Sequence, residues 1–328
     1  MSAHFVIPRK FEHLLDELPK MSVNTDYPYS LGGAFTWAAQ SWLVLREFRD
    51  GFTIGCEPLR GVINFAHCRT WRDLGSRAGE FRVSVRADHR RLFDVDFEIV
   101  QNPGVPLTPL QAFLIHWPQP RLIARSPSRT GVRTIGYVGV RGRRNLAPQL
   151  HPERGAHPAF HGFDFEIVGR DRWHDMSQLD VLVAVRSFNR EAYPDKPPSK
   201  LINAWAAGIP LIAGCDSAFD AVGNWGSDYL RVSSERELAD AVRMLADDPR
   251  LYADIVAKGR ERAESFTQET VARQWLEVFD RKIGPVFEAK ASGARRRQVI
   301  SVPKILDYFY HMPVRLHQSL ALPRRSAA

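Results

Sequence analysis

Short apolar runs rich in β-branched and aromatic residues alternate with helical patterns along most of the chain, which points to parallel sheets flanked by helices. In the first half the runs at 52–55, 62–66, 81–85, 97–100 and 113–116 predict strands with short connections. Gly32 and Gly33 open a helical run at 34–48, which passes through Asp50-Gly51 into the first of those strands. Prolines 106, 109, 118, 120 and 127 stud the stretch 106–130 and mark a linker, with His116-Trp-Pro-Gln-Pro120 at its edge. The second half predicts strands at 134–140, 165–168, 180–185, 210–213 and 229–232, a helix at 199–207 and three closing helices. Those last helices start at Ser234-Glu-Arg-Glu237, which has capping-box spacing, at Asp248-Pro249 and at Thr267. The predicted fold is α/β: two Rossmann-like domains, 1–125 and 126–285, facing a cleft, then a basic tail, 286–328. Open sheets of this kind bind ligands beyond the carboxyl ends of their strands.

The segment 193–214 carries the most specific chemistry. Pro197 and Pro198 suit a helix start, Ser199 is placed to cap the first turn, and Gly208 with Pro210 ends the helix before a buried strand. The free amides and positive dipole end of that helix point back toward Lys196 and Lys200, which makes an anion seat of the size of a diphosphate. Further cations follow other strands of this half: Arg141 to Arg144 after Gly139, and Arg186 after Val185. Arginine grips two phosphate oxygens at once, whereas lysine acts as a mobile point charge.

Asn203-Ala-Trp-Ala-Ala-Gly-Ile-Pro210, with Asp195 eight positions before Asn203, resembles the donor-binding segment of GT-B-fold glycosyltransferases. That segment usually has a second carboxylate where this chain has Asn203. The run from Lys200 to Pro210 is also similar to the donor motif of α1,3-fucosyltransferases, with Ser199 in place of that family's glutamate. Five further segments resemble a group of bacterial glycosyltransferase-like proteins: Arg86-Ala-Asp, Gln101-Asn-Pro, His116-Trp-Pro-Gln-Pro, Asn145-Leu-Ala-Pro and Ala184-Val-Arg-Ser-Phe. The resemblance runs from about residue 27 to 279. It implies transfer of a sugar from a nucleotide-diphosphate donor, acting as substrate, without a metal ion or other cofactor. The acceptor it implies is a glycan, a lipid-linked group or a protein.

On this reading the donor-side candidates are Gly139, Arg141, Arg144, Asn145, Asp195, Lys196, Ser199 and Asn203. Gly32, Gly33 and Arg86 stand on the acceptor side. Arg186 and Lys200 are the candidates for stabilising the departing diphosphate, whose negative charge grows as the sugar leaves. An inverting transferase also needs a base, for which His116, Asp88 and the pair His174-Asp175 compete. The alternative to an enzyme is a non-catalytic nucleotide-sugar-binding or partner protein that keeps the fold, and Asn203 is the feature that favours it.

Composition narrows the partners. The net charge is +8, but eight basic and only two acidic residues lie in 286–328, so the body is nearly neutral and lacks the basic face of a nucleic-acid-binding domain. The tail mixes these cations with Ile300, Ile305, Leu306, Tyr308 and Phe309; it either docks on the first domain or makes peripheral contact with an anionic membrane. No run approaches the roughly 18 apolar residues of a membrane span, and the N-terminus has no apolar signal region, so a cytoplasmic location is expected. Cys56, Cys68 and Cys215 lack metal-type spacing and read as reduced, and His67, His151, His157 and His161 show no compact ligand pattern. Gly136-Tyr-Val-Gly139-Val-Arg-Gly142 departs from the dinucleotide fingerprint, which sets a dehydrogenase aside.

Overall fold

A computed structural model describes residues 1–293, apart from Ser76, Arg143 and the side chain of Tyr29. It consists of two all-parallel sheets. The first holds strands β1 (Ala3–Val6), β2 (Phe52–Gly55), β3 (Ile63–His67), β4 (Phe81–Val85), β5 (Phe97–Val100) and β6 (Gln111–Phe113), in the order β2-β1-β3-β4-β5-β6. The second holds β7 (Thr134–Val138), β8 (Asp164–Val168), β9 (Val181–Ala184), β10 (Leu211–Ala213) and β11 (Leu230–Arg231), in the order β11-β10-β9-β7-β8. Helices α1 (Gly33–Leu45) and α2 (Cys68–Leu74) belong to the first lobe. Helices α3 (Ser199–Ala207), α4 (Ser217–Val222), α5 (Glu235–Asp247) and α6 (Pro249–Ala263) belong to the second, and α7 (Gln268–Val278) and α8 (Gly284–Ala291) close the described chain.

The expected α/β architecture is present, with four strands or helices that the pattern did not reveal: β1, α2, α4 and α8. Strand β1 pairs with both β2 and β3 in the interior of its sheet, yet it is four residues long and carries His4 and Ala3 among its apolar positions. Helices α2 and α4 are seven and six residues, too short to show a period. Strand β6 comes earlier than expected, at Gln111–Phe113 instead of 113–116, because Gln111 pairs opposite Glu98 of β5 and the proline-rich chain then leaves the sheet.

Local chemistry explains the helix boundaries. The Ser234 hydroxyl accepts the Glu237 amide at 3.1 Å while the Glu237 carboxylate accepts the Ser233 amide at 2.6 Å, which fixes the start of α5. Asp248 accepts the amides of Arg250 and Leu251, and Thr267 accepts that of Thr270. Gly208 ends α3 in the left-handed region at φ 67°, where the Ile209 amide reaches the Ala204 carbonyl at 3.1 Å in a Schellman closure. Ser199 corrects the expectation placed on it. It is the first helical residue rather than the cap, Pro198 takes the cap position, and no side chain caps the turn.

After α6 the chain returns to the first lobe. Trp275 of α7 stacks on Trp117 at 5.9 Å, Phe279 meets Phe52 at 5.7 Å, and Phe287 of α8 meets Phe81 at 5.2 Å. Arg49 binds both carboxylate oxygens of Asp280, and Lys290 binds Asp96 at 2.7 Å. The boundary drawn at residue 285 therefore falls inside α8, on the first lobe. Residues 294–328, which include most of the expected tail and its apolar cluster, lie outside the described residues. Among the described residues no helix is long and apolar enough to cross a membrane.

Candidate functional site

The carboxyl ends of both sheets meet across a cleft. From the first lobe come Gly32 and Gly33 at the start of α1, His67 at the end of β3, Asp88 after β4, Asn102 after β5 and His116 after β6. From the second come Gly139 after β7, Arg170 after β8, Arg186 after β9, Lys196 and Lys200 at α3, and Asp216 after β10. Contacts across the cleft are direct. The Asn102 side-chain amide donates to the Pro194 carbonyl at 3.2 Å and to the Ser217 hydroxyl at 2.9 Å, and a Cβ added at Gly104 would stand 2.8 Å from the Ser217 carbonyl.

Four of the five described cations expected in the second lobe arrive with a carboxylate already attached, Arg141 with Glu153 among them. Arg186, 4% exposed, donates from Nε to the fully buried Asp216, and from Nη1 to the Arg144 carbonyl at 3.2 Å. Lys196 reaches across the cleft to Asp88 at 2.9 Å and also donates to Asn145 at 3.1 Å. Arg144 pairs with Asp195 at 2.6 Å. Tyr193 sits beneath this group at φ 45°, a strained conformation for an aromatic residue, with Arg144 and Arg186 each within 5.8 Å of its ring.

Lys200 differs from the others. It pairs with no carboxylate among the described residues, and its ammonium lies 5.3 Å from the Tyr137 ring. Burial, reinforced by the Arg186 charge and partly countered by Asp216, pushes its pKa down to about 7. Gly139, at φ 149°, makes room for it: a Cβ there would stand 3.1 Å from Lys200 Nζ. The amides of Ser199 and Lys200 accompany it, since the first helical bonds of α3 are those of Leu201 and Ile202 to the Pro198 carbonyl. Cationic ammonium, open amides and positive helix end thus share one spot. Asn203, one turn on, is half-buried.

Beside this spot, at the ends of β7 and β8, lies a pocket of about 530 Å³ lined by Gly139, Val140, Arg141, Ile167, Arg170 and Trp173. Arg141 is held at its rim by Glu153 at 2.6 Å. Arg170 faces Trp173 and also closes on the first lobe, where a Cβ at Gly32 would stand 3.0 Å from its Nη2. Sequence reasoning missed Arg170, Asp216 and Trp173, which gain their meaning only from the folded sheet ends.

On the opposite wall, the His116 ring packs on Trp37 at 4.8 Å, and its Nδ1 donates to the Trp117 carbonyl at 2.6 Å. That bond fixes the tautomer and leaves Nε2 as the acceptor nitrogen. Burial lowers the His116 pKa, so the ring is neutral, with Asp88 and Lys200 among its charged neighbours. His67 is the reverse case: Nδ1 accepts the Arg69 amide at 3.2 Å, so the neutral ring carries its proton on Nε2, and burial drives its pKa down to about 3. Burial is the largest influence on Asp88 and raises its pKa, but the charge and hydrogen bond of Lys196, with help from His89, together outweigh it and the carboxyl ends below its ordinary value.

Two further candidates make local structural contacts. Arg86 donates from Nε to the His89 carbonyl at 3.0 Å and faces buried Glu98, holding the loop that carries Asp88. Asp175 accepts the Ser177 amide at 2.9 Å, and its backbone bridges Ile123 of the linker. Among the described residues no three His, Cys, Asp or Glu side chains converge as a metal-binding group.

Comparison with known proteins agrees with this architecture. Residues 150–277 match the family described as "Glycosyl transferase-like". No significant match is found among curated proteins. Sucrose-phosphate synthase from Thermosynechococcus elongatus superposes with a TM-score of 0.52 and 16% identity, covering 85% of this chain and 81% of that one. Anabaena HepE in complex with UDP superposes with the same score at 11% identity, covering 85% of this chain and 100% of that one. The chain spans 55% of the length of Staphylococcus aureus TarM, which it matches at 12% identity with a TM-score of 0.46. The expected resemblance to GT-B-fold glycosyltransferases is borne out, and the two lobes facing a cleft are that fold.

Proposed function

We propose that this chain transfers a sugar from a nucleoside-diphosphate sugar to an acceptor hydroxyl, with the diphosphate at Lys200 and the start of α3 and the nucleoside in the pocket beside Trp173. The observation that carries the reading is Lys200: a half-buried ammonium paired with no carboxylate among the described residues, at the open end of a helix, in the crevice between two sheet ends. A cation held so is costly alone and favourable once an anion arrives. The family match over residues 150–277 supports the same chemistry. On this reading Lys200, the α3 amides and Arg186 supply the positive field at the leaving oxygens.

In the reaction the acceptor oxygen bonds to the anomeric carbon, the bond from that carbon to the diphosphate breaks, and the nucleoside diphosphate departs with the electron pair. The acceptor proton goes to a base. His116 fits this role better than Asp88, because its Nε2 lone pair is held open by the Nδ1 bond whereas Asp88 is committed to Lys196. His116→Gln is expected to lower kcat by about 10²–10⁴-fold with little change in KM for the donor. A product of retained anomeric configuration together with an active His116→Gln enzyme would remove the histidine from the mechanism.

The test of the whole reading is a panel of UDP-, GDP- and dTDP-sugars, followed by thermal shift and by release of nucleoside diphosphate. A bound donor that turns over supports the enzyme. Binding without turnover toward any acceptor would support the alternative of a nucleotide-sugar-binding protein, and no binding to any of them would sink both.

A further inference from the structure

The first lobe has a second concavity, of about 490 Å³, between the segment after β1, the first turn of α1 and the exposed side of α2. Its walls carry Arg9, Lys10, Arg69 and Arg77 against a single carboxylate, Asp73. Arg9 and Arg77 lean on Glu57, whereas Lys10 and Arg69 pair with no carboxylate among the described residues. Four cations against one lining carboxylate leave the concavity net positive, which suits an anion.

The cavity adjoins the cleft. Ala34 lines it and follows Gly33, whose added Cβ would stand 3.8 Å from His67 Nε2 and 3.9 Å from Trp37, the residue on which His116 packs. A group anchored here would extend past the glycine turn toward the His116 wall.

We propose that this cavity anchors the acceptor through a phosphate group, gripped by Lys10 and Arg69 with support from Arg9 and Arg77. The assignment of the anchored molecule as acceptor rests on the transferase reading above; the anion site itself does not. A phosphate carries up to two charges and offers its oxygens in several directions, which matches forked guanidinium donors and a mobile ammonium better than a planar carboxylate does.

The experiment uses the full chain with two phosphate probes, glucose 6-phosphate in solution and phosphatidylglycerol in phosphatidylcholine vesicles. Glucose and pure phosphatidylcholine vesicles serve as controls. At least one phosphate probe is expected to bind where its control does not, and which one binds identifies a soluble phosphorylated glycan or a lipid headgroup as the source. The exposed double variant Lys10→Gln/Arg69→Gln is expected to weaken that binding about tenfold or more. Lys200→Ala should leave it intact. Binding of neither probe, or binding unchanged in the double variant, would overturn the proposal. Phosphate binding without binding of any nucleotide sugar would uphold the site and sink the transferase reading. The reverse result would sink the site alone.

Discussion

Replacement of Lys200 by methionine is expected to cut donor turnover by about 10²–10³-fold, the loss seen when one preorganised donor is removed from a developing charge. Methionine fills similar volume against Tyr137, so the fold should persist and the loss should appear in kcat as well as in donor affinity. The same lysine predicts a pH dependence of definite sign. Its pKa is about 7 in the folded chain and near 10.5 when unfolded, so between those values the unfolded chain holds more protons. The stability of the free protein should therefore rise as pH climbs from about 7 toward 10.5, and this rise should vanish in Lys200→Met. Donor affinity should move the other way, because the diphosphate binds the protonated amine and each pH unit above 7 removes more of it. An intact nucleotide sugar is the right ligand for that measurement, since its diester phosphates do not titrate near neutral pH. A flat affinity profile between pH 6 and 9 would show that Lys200 is not the cation that holds the phosphates.

The parts of this arrangement that could be read from the sequence are those set by neighbours in the chain. The helix at Ser199–Ala207 and the strands at Phe52–Gly55, Phe81–Val85 and Phe97–Val100 fall where proline, glycine and apolar runs place them. The same local logic brought Lys200, Lys196 and Arg186 to strand ends of one lobe. What it could not reveal is pairing over long separations. Lys196 and Asp88 are 108 residues apart, Arg144 and Asp195 are 51 apart, and Arg186 and Asp216 are 30 apart. These three cations, like Arg141 beside Glu153, thus proved partly neutralised, and only the fold identifies Lys200 as the one left over among the described residues. Ser199 failed as a cap for a related reason: two prolines in succession move the helix start one residue early, and the hydroxyl enters the first turn instead of closing it.

The Arg186–Asp216 pair yields the second large prediction, and its two effects have opposite signs. Both side chains are buried, and burial raises the Asp216 pKa despite the adjoining guanidinium. Asp216→Ala strands a buried arginine, which should cost about 3–5 kcal/mol of stability in chemical denaturation. Loss of a helix cap contributes nothing to that figure, because Asp216 makes no side-chain bond to the amides of α4. Replacing both partners, as Arg186→Met with Asp216→Leu, should recover most of the loss, since two apolar groups leave no charge unmatched. The donor responds differently. Removing the carboxylate raises the net charge of the crevice by one, so Asp216→Ala should bind the diphosphate more tightly than the native chain even as it unfolds more easily. The double replacement, stable again but without the guanidinium, should bind it more weakly. Equal donor affinity in the native, single and double variants would place Arg186 outside the phosphate field and leave it as a purely structural arginine.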